Sequence, residues 1–192
     1  HSLPGEAGVP LPYLGYDSQR FTMLSGPRRT DPLTLAGTVP AVTREPAPED
    51  VTATVKTWLT RSNGKAEAAV FTLAAPLAPD EVGVRTLYSL GLECLAGNGL
   101  ALHRADLNDV VAVLFGSASD GGAYDGGLSG AYGRAATWRS LTALAGGSHV
   151  GCAWWIFYAV NDWFYDVGWD LGVVCLRPGG HVMAVLAATD TD

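Results

Sequence analysis

Residues 152–176 read C-A-W-W-I-F-Y-A-V-N-D-W-F-Y-D-V-G-W-D-L-G-V-V-C-L, and the turn R-P-G-G at residues 177–180 leads from them into an apolar run from His181 to Ala188. The first seven residues are almost wholly apolar, the pattern of a strand covered on both faces in the centre of a layered α/β sheet. Asn161 or Asp162 then offers a helix N-cap, and at 100° per residue Trp163, Phe164, Val167, Leu171, Val174 and Cys175 gather on one side. Gly168 and Gly172 fall together on an adjoining stripe where another backbone can approach. The spacing therefore predicts strand, helix, strand.

Upstream, the same kind of reading gives alternating elements. Pro46 and Pro48 precede Glu49-Asp50, and Val51, Val55, Trp58 and Leu59 follow at helical spacing, so residues 49–61 read as an amphipathic helix closed by Asn63-Gly64. Lys65 to Ala74 suits a strand, with its branched and aromatic residues late in the run and Pro76 and Pro79 beyond it. A second helix is expected from Pro79-Asp80-Glu81 to about Leu95, then a short strand at Leu100 to His103. Asp106 caps a third helix that ends near Gly116, and a fourth runs from about Ser129 to Gly146-Gly147. Between these two helices lies the glycine-rich stretch 116–133, read as a loop. Residues 1–48 hold eight of the eleven prolines and read as a proline- and glycine-rich arm, leaving 49–192 as a single α/β domain.

An internal echo bears on topology. L-G-x-x-C-L occurs at Leu90 to Leu95 and again at Leu171 to Leu176, each time at the end of an expected helix. Such a repeat allows two strand-helix-strand units with right-handed crossovers. The expected fold is thus an α/β domain with a mixed sheet of about four or five strands and packed helices.

The formal charge of −7 disfavours nucleic-acid and anionic-membrane partners, which need a basic surface. After residue 105 come nine Asp, no Glu, no Lys, and only Arg134, Arg139 and Arg177, so a partner of this half is expected to be a basic or neutral protein. Cys94, Cys152 and Cys175 cannot all pair within one chain, and each lies in an apolar run. They read as reduced thiols in a cytoplasmic protein. No apolar run is long enough for a membrane span, and no signal peptide is visible.

The sharpest candidate site is the acidic stripe Asp162, Asp166 and Asp170, which the expected helix would place on one face beside Trp169. Asp at i, i+4 repels its neighbour unless a cation, an Arg or a partner answers it; the stripe reads as a solvated helix face with Asp162 as its N-cap, as a divalent-metal or paired-carboxylate site, or, with Trp169, as an interaction face for a basic partner. Eight of the eighteen aromatic residues lie between Trp154 and Trp169, more than one strand and one helix need for their inner faces, so Trp155, Tyr158, Tyr165 and Trp169 are expected to be partly exposed. A rival site pairs Asp125 with Asp166 as carboxylates of a small-molecule enzyme, the loop 116–133 closing over it. Whether the chain is an enzyme stays open on the sequence alone.

Other constellations read as structural. The glycine-rich stretch lacks the lysine of a phosphate loop, and no Lys occurs after Lys65. His149-x-x-Cys152 with Cys175 and His181 resembles a zinc ligand set, but residues three apart on a strand point to opposite faces, so no metal is expected. His103 and Asp106 could pair as acid and base, but a helix cap beside a surface histidine is the reading the sequence favours. Nothing calls for a cofactor.

The tail W-F-Y-D-V-G-W-D-L-G, then L-R-P-G-G and L-A-A-T-D-T-D, with A-Y-G-R-x-x-x-W-R-S-L upstream, resembles an actinobacterial (Streptomyces-type) family known only as a domain of unknown function. The resemblance covers roughly residues 129–192. It implies a source of that kind, and carries no catalytic or binding residue onto this chain. From the charge asymmetry and the lack of a recognisable catalytic motif, the reading is of a non-enzymatic interaction protein, of adaptor or immunity type, using Asp162, Asp166, Trp169 and Asp170. Oligomeric state is not readable from the sequence.

Overall fold

A computed structural model describes residues 38–191, apart from 98, 125, 129 and 166–168. Its centre is a six-stranded sheet in the order β1-β2-β6-β5-β4-β3, with β1 at Val42–Pro46, β2 at Lys65–Leu73, β3 at Leu100–Ala105, β4 at Ala153–Ala159, β5 at Trp169–Leu176 and β6 at Val182–Asp190. Every pairing is antiparallel. Among the described residues four α-helices accompany it: α1 (Lys56–Arg61), α2 (Val84–Tyr88), α3 (Leu107–Asp120) and α4 (Gly130–Ala145).

The sheet is covered on both faces, and the alternation of side chains sorts the core into two layers. On one face Val70, Trp154, Leu171, Val173, Cys175, Ala184, Leu186 and Ala188 meet the helices α1, α3 and α4 and the 3-10 turn Glu49–Val55. Trp58 of α1 is wholly buried here and donates its indole N–H to the Ser117 carbonyl of α3 at 3.1 Å. Asp106 caps α3 as its sequence position suggests, accepting from the Asp109 N–H at 2.9 Å. Such caps stabilise by about 1 kcal/mol.

On the other face Phe71, Leu73, Trp155, Phe157, Val174, Leu176, Met183 and Val185 pack under the irregular segment from Leu77 to Leu95 and under Phe164. That segment was expected to be one buried helix. It instead contains the one-turn 3-10 helix Pro79–Glu81, the short α2 and another 3-10 turn at Glu93–Leu95, because Gly83 and Gly91 interrupt it; Gly91 has a φ of +64°.

The expected architecture needs correction at several points. Helices do pack on a sheet, but the sheet has six strands rather than four or five, and it is antiparallel rather than mixed. Val42–Pro46, within the proline-rich stretch, supplies the edge strand; Pro46 is tolerated there because an edge strand can spare an N–H. The glycine-rich stretch is shorter than expected, since Gly116 to Asp120 complete α3 and Gly130 to Gly133 begin α4.

The largest correction falls on the closing unit. Residues 169–176 form β5, not the end of a helix, and β4, β5 and β6 make a plain meander. From Leu171 to Leu176 every residue is buried, so alternation is invisible in the sequence and apolar spacing alone cannot separate strand from helix. Asn161 still behaves as a cap: its Oδ1 accepts from the Trp163 and Phe164 N–H groups at 3.0 and 3.1 Å. Its amide also donates to the Cys94 and Ala96 carbonyls at 2.9 and 2.8 Å, tying the loop to the far segment, and the chain at 161–164 bends instead of coiling. The L-G-x-x-C-L echo is therefore not a duplication: one copy lies in a turn, the other in a central strand.

Candidate functional site

The register places the first residue of β2, the last residues of β6 and the first residues of β5 at one end of the sheet. Lys65 pairs with Thr189, Thr189 with Asp170, and Asp190 with Trp169. Lys65, Thr189 and Asp170 thus share one face in a row across three strands, while Trp169 and Asp190 point to the other. Within that row the Thr189 hydroxyl donates to Asp170 Oδ1 at 2.6 Å and accepts from the Tyr165 N–H at 3.1 Å. The loop before β5 is thereby pinned over the row. Lys65 Nζ lies over the Tyr165 ring at 4.5 Å and the Trp163 ring at 5.1 Å, close enough for a cation–π attraction of about 0.5–1 kcal/mol at a site open to water.

Asp190 organises the neighbouring loop. Its carboxylate is fully buried and accepts from the Ala123 N–H at 2.8 Å and the Thr191 N–H at 2.9 Å. Any side chain at Gly122 would run into it, a Cβ there falling 2.0 Å from Oδ2. This holds the chain after α3 against the same sheet end. Tyr124, next in sequence, is 62 % exposed, and Tyr165 is 39 % exposed.

Of the residues singled out from the sequence, Asp162 is exposed in the bend after β4, and Trp169 and Asp170 are half-buried on opposite faces of β5. They do not form one helical stripe, because the helix is absent. Asp166, and the Asp125 of the carboxylate alternative, lie outside the described residues. Of the aromatics expected to be partly exposed, Tyr165 is exposed and Tyr158 and Trp169 are half-buried, while Trp155 is buried in the sheet; Tyr124 and Thr189 at this end were not foreseen.

The opposite end of the sheet carries a second constellation. An open groove of about 660 Å³ runs beside the C-terminal part of α4, lined among others by Asp50, Trp138, Arg139, Thr142, Gly146 and Arg177. Arg139 is ion-paired with Asp50. Arg177 donates from Nε to the Leu144 carbonyl at 3.0 Å and from Nη2 to the Ala143 carbonyl at 3.1 Å, a cation closing the last turn of α4. Gly146 leaves the space that its guanidinium fills.

Cys152 and Cys175 meet beside Arg177. The Cys175 thiol is held far above the ordinary range by burial and by its neighbour Cys152. The Cys152 thiol is lowered, first by a hydrogen bond from Cys175, with Arg177 adding to it against partial burial. The paper resemblance to a zinc set does not survive in space. The His149 ring packs on Trp138 with centroids 5.9 Å apart, and His181 sits in the β5–β6 turn near the Leu73 carbonyl. Among the described residues no three His, Cys, Asp or Glu side chains are grouped to hold a metal ion. Nor is any helix among them long and apolar enough to cross a membrane.

Neither a curated protein nor a solved structure matches the chain. A family model does match, over residues 1–192, and so takes in the proline-rich stretch and residues up to 60 that the tail motifs left unaccounted for. The chain belongs to DUF6183, a family of unknown function.

Proposed function

We propose that the protein is a non-enzymatic interaction module, of adaptor or immunity type, that docks a basic segment of a partner protein on the sheet end built around Lys65, Thr189 and Asp170. The observation that carries this reading is the exposure of Tyr165, three residues after the exposed Asp162, and of Tyr124 on the loop that Asp190 holds at the same end of the sheet. Large exposed aromatics are typical anchors of protein interfaces, and carboxylates around them select cationic partners and speed their approach. Asp162, Asp166 and Asp170 belong to the proposed surface, with Trp169 supporting it from the other face of β5.

The test is affinity capture from a lysate of the source organism, with the parent chain and with a Tyr124→Ala/Tyr165→Ala/Asp162→Asn triple variant as baits. These side chains are exposed, so the variant should keep its circular dichroism and melting temperature. The proposal expects a basic protein that the parent captures, that the variant loses, and whose capture weakens as salt is raised from 50 to 500 mM, values chosen to span about a threefold change in screening length. Capture that is insensitive to the triple substitution, or a captured partner that is acidic, sinks the reading.

A further inference from the structure

We infer that Cys152 and Cys175 form a reversible dithiol–disulfide couple, with Cys152 as the thiol that meets solvent and a low-molecular-weight disulfide as its oxidant. The register carries the inference. Cys175 lies directly across from Trp154, and Cys152 stands in the turn one residue before β4 begins and two before Trp154, so the register brings the two cysteines together as a diagonal pair at the mouth of that strand. Both pack into the same hydrophobic layer. Cys175 is fully buried, whereas Cys152 is half-buried at the mouth of the β4 strand.

The surroundings divide the labour between the two sulfurs. Arg177 follows Cys175 by two residues on the same face, and its guanidinium is fixed by the Ala143 and Leu144 carbonyls, so a positive charge stands permanently beside the pair. The Cys152 thiol, itself 3.5 Å from the Ser148 carbonyl, is shifted downward and the Cys175 thiol upward. The thiolate is the nucleophile in exchange, so Cys152 attacks first and Cys175 resolves. Cys94 takes no part. It is buried in the other layer, with its thiol pushed up by burial and by Glu67.

The chemistry balances without further reagents. The Cys152 thiolate attacks one sulfur of the small disulfide, whose S–S bond breaks; one half leaves as a thiolate and takes up the proton that Cys152 gave to solvent. Cys175 then loses its proton and attacks Cys152 Sγ, the mixed disulfide breaks, and the second half departs as a thiol. Two protein thiols are oxidised to one disulfide, and one small disulfide is reduced to two thiols. A diagonal pair sits slightly farther apart than a disulfide prefers, and Cys152 lies in the turn closed by its own N–H to the His149 carbonyl, ahead of the strand proper. Closing the bond draws this turn inward, and the tension keeps the bond reducible rather than permanent.

The experiment equilibrates the full chain with glutathione and glutathione disulfide at graded ratios, quenches with acid, and maps the products by intact and peptide mass spectrometry. The couple is supported when two of the three thiols disappear together, the linked peptides contain Cys152 and Cys175, and Cys94 remains free. Cys175→Ser should then accumulate a glutathione adduct on Cys152, and Cys152→Ser should leave both remaining thiols unmodified while its far-UV spectrum stays native. On the parent chain, which needs no substitution, iodoacetamide should label Cys152 at least about tenfold faster than either other cysteine. A link through Cys94, no link at any ratio, a Cys152 adduct that persists in the parent, or equal labelling rates overturns the inference.

Discussion

Gly172 shows how much one missing side chain decides. A Cβ at this position would lie 2.4 Å from the Phe157 carbonyl oxygen and 2.8 Å from the Phe157 ring. The ring lies where a β5 side chain would stand, and the ladder recorded between β4 and β5 stops one step short, at Ile156 and Val173. The glycine that reads from sequence as a packing notch in a helix is a notch in a strand, filled by an aromatic from the next strand. Gly172→Val should therefore destabilise the protein by about 1–3 kcal/mol, the usual cost of forcing extra volume into a packed layer. A urea titration followed by tryptophan fluorescence reads this directly; an unchanged midpoint would mean that Phe157 moves aside freely.

At the scale of elements, what the sequence reveals depends on whether one face of an element meets water. The helix α3 was legible from Asp106 and its apolar spacing, and α4 likewise, because each keeps a polar side. The strands β2, β4 and β6 were legible from branched and aromatic runs. β5 was not, since its burial on both faces erased the period of two that identifies a strand, and the apolar residues that remained happened to fit a helical wheel as well. The candidate acidic stripe inherited that ambiguity: Trp169 and Asp170 are genuine neighbours of the loop that carries Asp162, but by strand register rather than by helical turn. Cys152 and Cys175 could not be brought together from sequence at all, because their contact depends on the same β4–β5 pairing.

The end of α3 carries a mismatch that can be measured. Asp120 closes this helix, where the carbonyl ends of the peptide dipoles already make the surroundings negative, and partial burial raises its carboxyl above the usual range. A carboxyl whose folded-state pKa lies above its unfolded value binds its proton more tightly when folded. It therefore favours the fold in acid and loses that contribution as pH rises through the folded value. Asp120→Asn is expected to raise the melting temperature at pH 7, with a dipole contribution of about 0.3–1 kcal/mol. The advantage should shrink as pH falls below the carboxylate range. Thermal melts of both chains from pH 3 to 7, a range chosen to span the ordinary carboxylate pKa of about 4, check the sign; a gain that grows toward low pH refutes it.

For the whole molecule, the two ends of the sheet are chemically distinct. One gathers Asp162, Asp170, Asp190 and exposed tyrosines; the other holds Arg177, the Arg139–Asp50 pair and the thiol couple. Binding at the first and oxidation at the second would thus act on opposite ends of the same strands, with β5 and β6 running between them.

Strand β6 has a consequence for how the chain reaches this state. It lies between β2 and β5, and it is the strand that joins the β1–β2 pair to the β5-β4-β3 ladder. Its pairing with β2 unites residues as far apart as Lys65 and Thr189. The β4-β5-β6 meander can pair locally, but joining it to β2 closes a loop of more than a hundred residues before that pairing repays any of the entropy. Refolding is expected to be slow for the size of the chain, on the order of seconds rather than milliseconds. Stopped-flow dilution from urea tests this, and refolding complete within about a millisecond would contradict it. Until β6 docks, both inner strand edges stand open, and chaperone binding or self-association would compete at that moment rather than after folding is complete.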